Sequence, residues 1–314
     1  MKIGLQAPLN LPHNAPSARI ILLLLLLTAI RGGNFVAMKV SLQGLTPLLA
    51  AGLRNGIGSI ALVGFAVAMR RELVKYSRLQ VAGMAALGIL LALNFAIVYV
   101  GLTKTTASRA AILLNAQPLF VAVLSKFFIS SERIGFRRIA GMGLAFLGVL
   151  VVFADKASSF GFQTLWGDAM MFLAATIWAV LAIMRKRIAQ KVEPIAVATW
   201  ENWVSTLLML PVGVGVEGLE TVNLTLPVTV GLLYCAFLGS AFTFATNVYL
   251  LKNYDINAIS SFNFLIPVAG ATLSIFILGD IVTPQLILGT LLVAVGLYLV
   301  NSTRTTGGQS RDEG

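Results

Sequence analysis

Three charged residues fall where a membrane-spanning helix would carry them into hydrocarbon: Arg31, Arg54 and Glu201. A charge at the centre of such a helix costs about 2.5–3.5 kcal/mol on insertion scales, so it faces a cavity or a partner. Arg31 lies near the middle of its apolar run, and Arg54 about a third of the way into the next. Glu201 occupies the position that matches Arg54 after an offset of 147 residues. At about 1.5 Å per residue, Arg54 sits roughly 5 Å to one side of the midplane and Glu201 a similar distance to the other, so direct pairing would bridge about 10 Å. Arg31, at the midplane, reaches either. Two readings follow. Arg31 and Glu201 form an ion pair that locks the molecule, or the charges line a cavity suited to a substrate carboxylate, with Glu201 meeting an amine or carrying a proton. If an arginine holds Glu201 charged, facilitated export or exchange is favoured over proton coupling.

Other polar side chains fall at similar depth: Asn34, Asn94, Asn115 and Gln117, then Trp178, Asn202, Asn247 and Asn263. Singly, such groups bond between helices at about 0.6 kcal/mol each; as a set they outline a polar interior. The candidate substrate-binding residues are Arg31, Asn34, Asn94, Asn115, Gln117, Trp178 and Glu201, with Arg54 near the outer mouth. Pro118 and Pro267 each remove a helix hydrogen bond and kink a span, which frees the carbonyls of Leu114 and Asn263.

Other chemistry has little to work with. The only histidine, His13, lies in a polar tail with Pro8, Pro12 and Pro16, and the only cysteine, Cys235, lies in an apolar stretch. No disulfide framework, metal cluster or nucleophile–base pair is expected, and therefore no cofactor and no intramembrane enzyme. No G-x-x-x-x-G-K-[ST] run occurs, so ATP is not expected to act within this chain.

The elements that hold these residues are set by composition. Hydrophobic residues make up 58% of the 314, charged residues 11%, and the mean hydropathy is +0.89. So few charges cannot cover a soluble domain of this length, and the solvent must be lipid. The net charge of +11 does not imply a nucleic-acid partner, because the basic residues sit in short loops and form no stripe with aromatics. A bilayer core needs about 20 apolar residues per helix. Windows of that kind occur near 20–41, 46–69, 79–101, 105–128 and 136–154, then near 166–185, 194–216, 228–251, 256–278 and 284–301. The first is read as span 1 and not as a cleaved signal, since no small-x-small site follows it. The organisation is therefore a cytosolic tail (1–19), a five-helix unit (20–154), a linker (155–165), a second five-helix unit (166–301) and a cytosolic tail (302–314).

The two units are copies. At offsets of 147–149 residues, Lys39 falls on Lys186, Pro47 on Pro194, Pro118 on Pro267, Glu132 on Asp280, Gly141 on Gly289 and Gly148 on Gly296. Five spans is an odd number, so the second copy inserts inverted, and the loop charges agree. The loop after span 2 carries Arg70, Arg71, Lys75 and Arg78, whereas its counterpart after span 7 carries Glu217 and Glu220. The positive-inside rule then puts both termini in the cytosol of a cell inner (plasma) membrane. Gly141 with Gly148, and Gly289 with Gly296, share a helix face in spans 5 and 10. Those spans are read as braces or as a self-association face through which a homodimer could form.

On the two-copy layout over residues 20–301, the stretch Gly32 to Lys39, the run Thr106 to Ala111 leading to Pro118, the acids Glu132 and Asp280, and Gly167-Asp168, the chain resembles the EamA-type, ten-span members of the drug/metabolite transporter superfamily. The resemblance implies an all-α membrane protein with ten helices around a central cavity, and exporters of amino acids and related metabolites. Where that family pattern has a tryptophan, this chain has Arg31. The expected function is a secondary transporter exporting a small zwitterionic or anionic metabolite by alternating access. The alternative is a multidrug-type exporter of apolar cations driven by proton exchange, in which Glu201 dominates and Arg31 is neutralised.

Overall fold

The computed structural model describes residues 17–128, 136–154, 162–220, 222–254 and 262–301. The tail with His13, the loop with Glu132, residues 155–161 of the expected linker and the C-terminal tail lie outside them. Every regular element among the described residues is helical. These are α1 (Ala18–Ser41), α2 (Pro47–Ala68), α3 (Arg78–Lys104), α4 (Ala107–Leu114), α5 (Gln117–Phe128) and α6 (Phe136–Phe153). They continue with α7 (Phe162–Ile188), α8 (Pro194–Val212), α9 (Leu226–Leu233), α10 (Thr243–Asn253), α11 (Leu265–Leu278) and α12 (Pro284–Asn301). The linker was expected to run to residue 165; instead α7 begins at Phe162, and Gly167 packs against Gly101 and Thr105 of the first unit.

Local chemistry explains the boundaries. Pro47 and Pro194 open α2 and α8, where a missing N–H costs nothing. Ser77 and Gln80 form a capping box that starts α3. Between α9 and α10 the backbone widens into a π-helical stretch, Tyr234–Phe242, which continues the same helical rod. Thr243 Oγ1 donates to the carbonyl of Leu238, five residues back, at 2.7 Å, which suits that wider turn.

The prolines do more than kink. Pro118 follows a break at Asn115–Ala116 and stands in the first turn of α5, and Pro267 stands in the first turn of α11 after a 3₁₀ turn at Phe262–Phe264. A first-turn proline loses no internal hydrogen bond, so the strain expected of a kinked span is avoided by interrupting it.

Five helical stretches are each long and apolar enough, by length and composition, to cross a bilayer: Ala18–Ser41, Pro47–Ala68, Arg78–Lys104, Gln163–Ile188 and Leu226–Asn247. Large apolar side chains point outward along them and elsewhere, among them Leu22, Ile60, Leu208 and Phe276. A surface of that kind is stable only against lipid or protein.

Packing joins the two halves of the chain throughout. α2 packs on α8, α3 on α7 and α8, α1 on α9 and α11, α4 on α11, and α6 on α12. Small residues set the closest approaches. A Cβ added at Gly32 would meet the Gly270 nitrogen at 2.6 Å, and one at Gly88 would meet Val204 Cβ at 2.4 Å. The glycines of α6 and α12 face each other: Gly141 lies against the carbonyl of Gly296, and Gly148 against that of Gly289. The glycine face read as available for self-association is consumed within the chain, because two such faces satisfy each other at close range.

Candidate functional site

Two adjoining chambers lie between the halves. The larger, about 430 Å³, is lined by Arg54, Phe95, Trp178, Arg185, Lys186, Glu201, Asn202, Asn247 and neighbours from α8 and the Tyr234–Phe242 stretch. The smaller, about 250 Å³, is lined by Arg31, Asn34, Met38, Arg54, Phe95, Asn115, Gln117, Trp178 and others. Arg54, Phe95, Trp178, Gly239 and Thr243 belong to both walls. The larger chamber reaches Ala189 and Pro194, at the end of the molecule where α7 finishes and α8 begins.

The opposite end of the molecule holds polar clusters that are buried or partly buried. Arg109 Nε donates to Asp168 at 2.9 Å, its Nη2 bonds the same carboxylate, and Nη2 also reaches the carbonyl of Val152 at 2.7 Å. Thr105 donates to Asp168, and Lys39 Nζ donates to the carbonyl of Thr105 at 2.8 Å. Asp280 accepts from the Ser108 backbone N–H at 3.0 Å and from the hydroxyls of Ser108 and Ser274. Lys39, in the last turn of α1, and Arg109, in the first turn of α4, are part of these clusters. Arg109 is only 3% exposed and Asp168 fully buried, so the ionic bond joins α4 to the start of α7 away from water.

Arg31, Arg54 and Glu201 all line the chambers, but the Arg31–Glu201 ion pair is not formed. Glu201 bonds Arg185, Nε to Oε2 at 2.9 Å, and Arg31 does not reach it. α7 runs on to Ile188, so Arg185 still points inward, with its guanidinium 4.8 Å from the Trp178 ring. Arg31 Nη1 donates instead to the amide oxygen of Asn263 at 3.0 Å. Arg54 stacks 4.5 Å from the Phe95 ring and has Met38 Sδ at 3.9 Å, while its Nε has no hydrogen-bond partner. Among the described residues, no carboxylate lies within ion-pair distance of Arg31 or Arg54. Arg54 was expected near the outer mouth; it is 5% exposed and forms the wall between the chambers.

The remaining candidates divide. Asn34, Asn115, Gln117 and Trp178 line the smaller chamber with Arg31. Asn34 Oδ1 is buried without a partner, and a Cβ at Gly239 would lie 2.3 Å from it, so the glycine is what lets that oxygen approach the π-helical stretch. Asn115 turns its amide back onto the carbonyl of Ala111 at 2.6 Å, and Gln117 makes a 3.4 Å bond to the carbonyl of Trp178. Asn94 lines neither chamber; it is fully buried and donates to the Ala174 carbonyl at 2.8 Å, tying α3 to α7. Its neighbour Phe95 is the chamber residue, since adjacent helix positions point about 100° apart. Phe95 and Trp178 meet edge to face at 5.9 Å and partition the two chambers. Sequence reading, which searched for polar atoms, passed over Phe95.

The family model for the EamA-like transporter family matches the chain twice, over residues 18–154 and 165–302. The chain belongs to the EamA-like transporter family. Among relatives of this transporter, the probable amino-acid metabolite efflux pump of Salmonella typhimurium (strain LT2) is 30% identical over 286 residues, covering 88% of this chain and 93% of its own. The counterpart of the same description in Escherichia coli (strain K12) is 28% identical over 287 residues, with 88% and 93% covered. The uncharacterized transporter YoaV of Bacillus subtilis (strain 168) is 23% identical over 282 residues, with 90% and 96% covered. A protein of known crystal structure superposes with a TM-score of 0.65 at 17% identity, covering 88% of this chain and 94% of that one. That likeness concerns the fold alone.

Proposed function

We propose that this EamA-like transporter is a secondary exporter of the inner (plasma) membrane that moves a small zwitterionic or anionic metabolite by alternating access. In this reading ten spans form two inverted five-helix repeats with both termini cytosolic. The packing supports it. Exchanging the halves carries the α3–α7 contact onto that between α1 and the α9–α10 rod, and α3–α8 onto that of α2 with the same rod. The contacts α2–α8, α4–α11 and α6–α12 map onto themselves, as pairs on a two-fold axis must.

The observation that carries the function is the two-chamber cavity between the halves, open where α7 meets α8 and closed at the far end by the Arg109–Asp168 and Asp280 clusters. With the basic loops cytosolic, this is an inward-facing state ready to load. The cation-exporter alternative is disfavoured by the pairing: it needs Arg31 neutralised by a carboxylate, and Arg31 contacts a neutral amide instead. Because Arg185 already holds Glu201, facilitated export is favoured over a proton cycle through that carboxylate. Two relatives described as probable amino-acid metabolite efflux pumps support export of related compounds.

The test is a metabolite-resistance screen of cells overproducing the protein. Overproduction is expected to relieve toxicity of a carboxylate-bearing metabolite and to lower its internal level. Resistance confined to lipophilic cations would overturn this reading in favour of the alternative.

A further inference from the structure

We infer that the cargo is a net anion, an organic carboxylate with no ammonium group, seated between Arg31 and Arg54, and that the membrane potential drives its export with no coupled proton. This rests on the transporter reading and narrows it.

Four cationic side chains, Arg31, Arg54, Arg185 and Lys186, line the two chambers, against a single carboxylate among the described residues, Glu201. A zwitterion needs an acid free to meet its ammonium. Glu201 is 6% exposed, and its charge is cancelled by Arg185, so the amine subsite is already filled by the protein's own guanidinium. The other two arginines are in the opposite condition. Arg31 is held by the neutral oxygen of Asn263, and Arg54 by an aromatic face and a thioether, with its Nε left without an acceptor. None of these contacts supplies negative charge. A guanidinium in a low-dielectric wall with an unused N–H is a docking point for a carboxylate, which it binds with charge-assisted geometry.

Duplication sharpens the point. Arg31 matches Trp178 and Arg54 matches Glu201 at the same 147-residue offset, so the cations of these matched positions all belong to the first half. The Phe95–Trp178 pair between the chambers offers an apolar face to the body of the cargo. An anion leaving the cytosol moves down an inside-negative potential. At 100 mV each exported charge is worth an accumulation of about fifty-fold, which requires neither ATP nor a proton-carrying residue.

Three probes built on one skeleton test this: N-acetylphenylalanine (anion), phenylalanine (zwitterion) and phenylalaninamide (cation). Each is titrated calorimetrically against the full-length protein in lipid nanodiscs. N-acetylphenylalanine is expected to bind at least tenfold more tightly than phenylalanine. Arg31→Gln and Arg54→Gln should each weaken it tenfold or more, the lysine variants should restore part of the loss, and Glu201→Gln should tighten it by releasing Arg185. Phenylalanine binding more tightly and failing in Glu201→Gln would overturn the anion inference and leave the exporter reading intact. Phenylalaninamide binding most tightly would overturn both, and no saturable binding of N-acetylphenylalanine up to tens of millimolar would overturn the inference.

Proteoliposomes loaded with labelled N-acetylphenylalanine separate the driving force. Efflux should accelerate under an inside-negative potassium diffusion potential and ignore an imposed pH gradient. Efflux that follows the pH gradient and ignores potential would overturn the electrogenic claim. Binding with no protein-dependent flux would leave the anion site standing and overturn the exporter reading.

Discussion

At the residue level, Glu201 is governed by which cation reaches its depth, and Arg185 does, 16 positions earlier in the chain and one helix away. Removing one member of a buried pair leaves the other uncompensated, at a cost of about 3–5 kcal/mol when fully buried and less where, as at Arg185, one partner is partly exposed. Arg185→Gln should therefore lower thermal stability and make transport pH-dependent, because the orphaned carboxylate gains reason to bind a proton. Purified-protein melting curves and flux between pH 5 and 8 check both, and an unchanged pH profile would argue that the Glu201 charge is not sensed. Asn94 and Phe95 make a second contrast. Asn94→Leu should cost on the order of 0.6 kcal/mol through its lost bond to Ala174 and keep export. Phe95→Ala should cut export severely while the protein stays inserted, because it opens the partition and removes the face on which Arg54 rests.

Among the elements, α6 and α12 illustrate how a sequence motif constrains without deciding. Two small residues seven apart give a flat helix face that favours a close partner. That partner is the matching face of the other repeat, with glycine carbonyls on both sides. Gly148→Leu would drive a side chain into the Gly289 carbonyl, 2.8 Å from where its Cβ must stand, and should destabilise by about 1–3 kcal/mol. Loss of monodisperse protein in detergent, with a lower melting temperature, is the expected sign. Asp168→Asn at the closed end should be at least as costly, since Arg109 would lose its carboxylate while 3% exposed.

For the whole molecule, the proposed inverted arrangement puts the loop after α2 and the loop after α8 on opposite faces of the membrane. Cys235 is the sole cysteine and is fully buried, so the wild type is a quiet background for labelling. Single cysteines at Lys75 and Glu220 should react with an impermeant maleimide from opposite sides of intact cells. Labelling of both from one side would refute the inverted arrangement and the access mechanism built on it.

Much of this protein was legible from one dimension because the constraint was one-dimensional. Hydrocarbon thickness sets the length of the apolar helices, and a 147-residue offset pairs Arg54 with Glu201, both of which are properties of position along the chain. What the linear order could not decide was azimuth and reach. Asn94 and Phe95 are neighbours in sequence, yet only the packing of α3 against α7 determines which of them meets the cavity. Arg185 stands in the last turn of α7, where only the fold shows that it turns inward to Glu201, and Arg31 reads as a partner for Glu201 until Asn263 is found beside it. Charge compensation is a contact between helices, set by distances of a few ångströms in the folded molecule, and the linear order does not encode it.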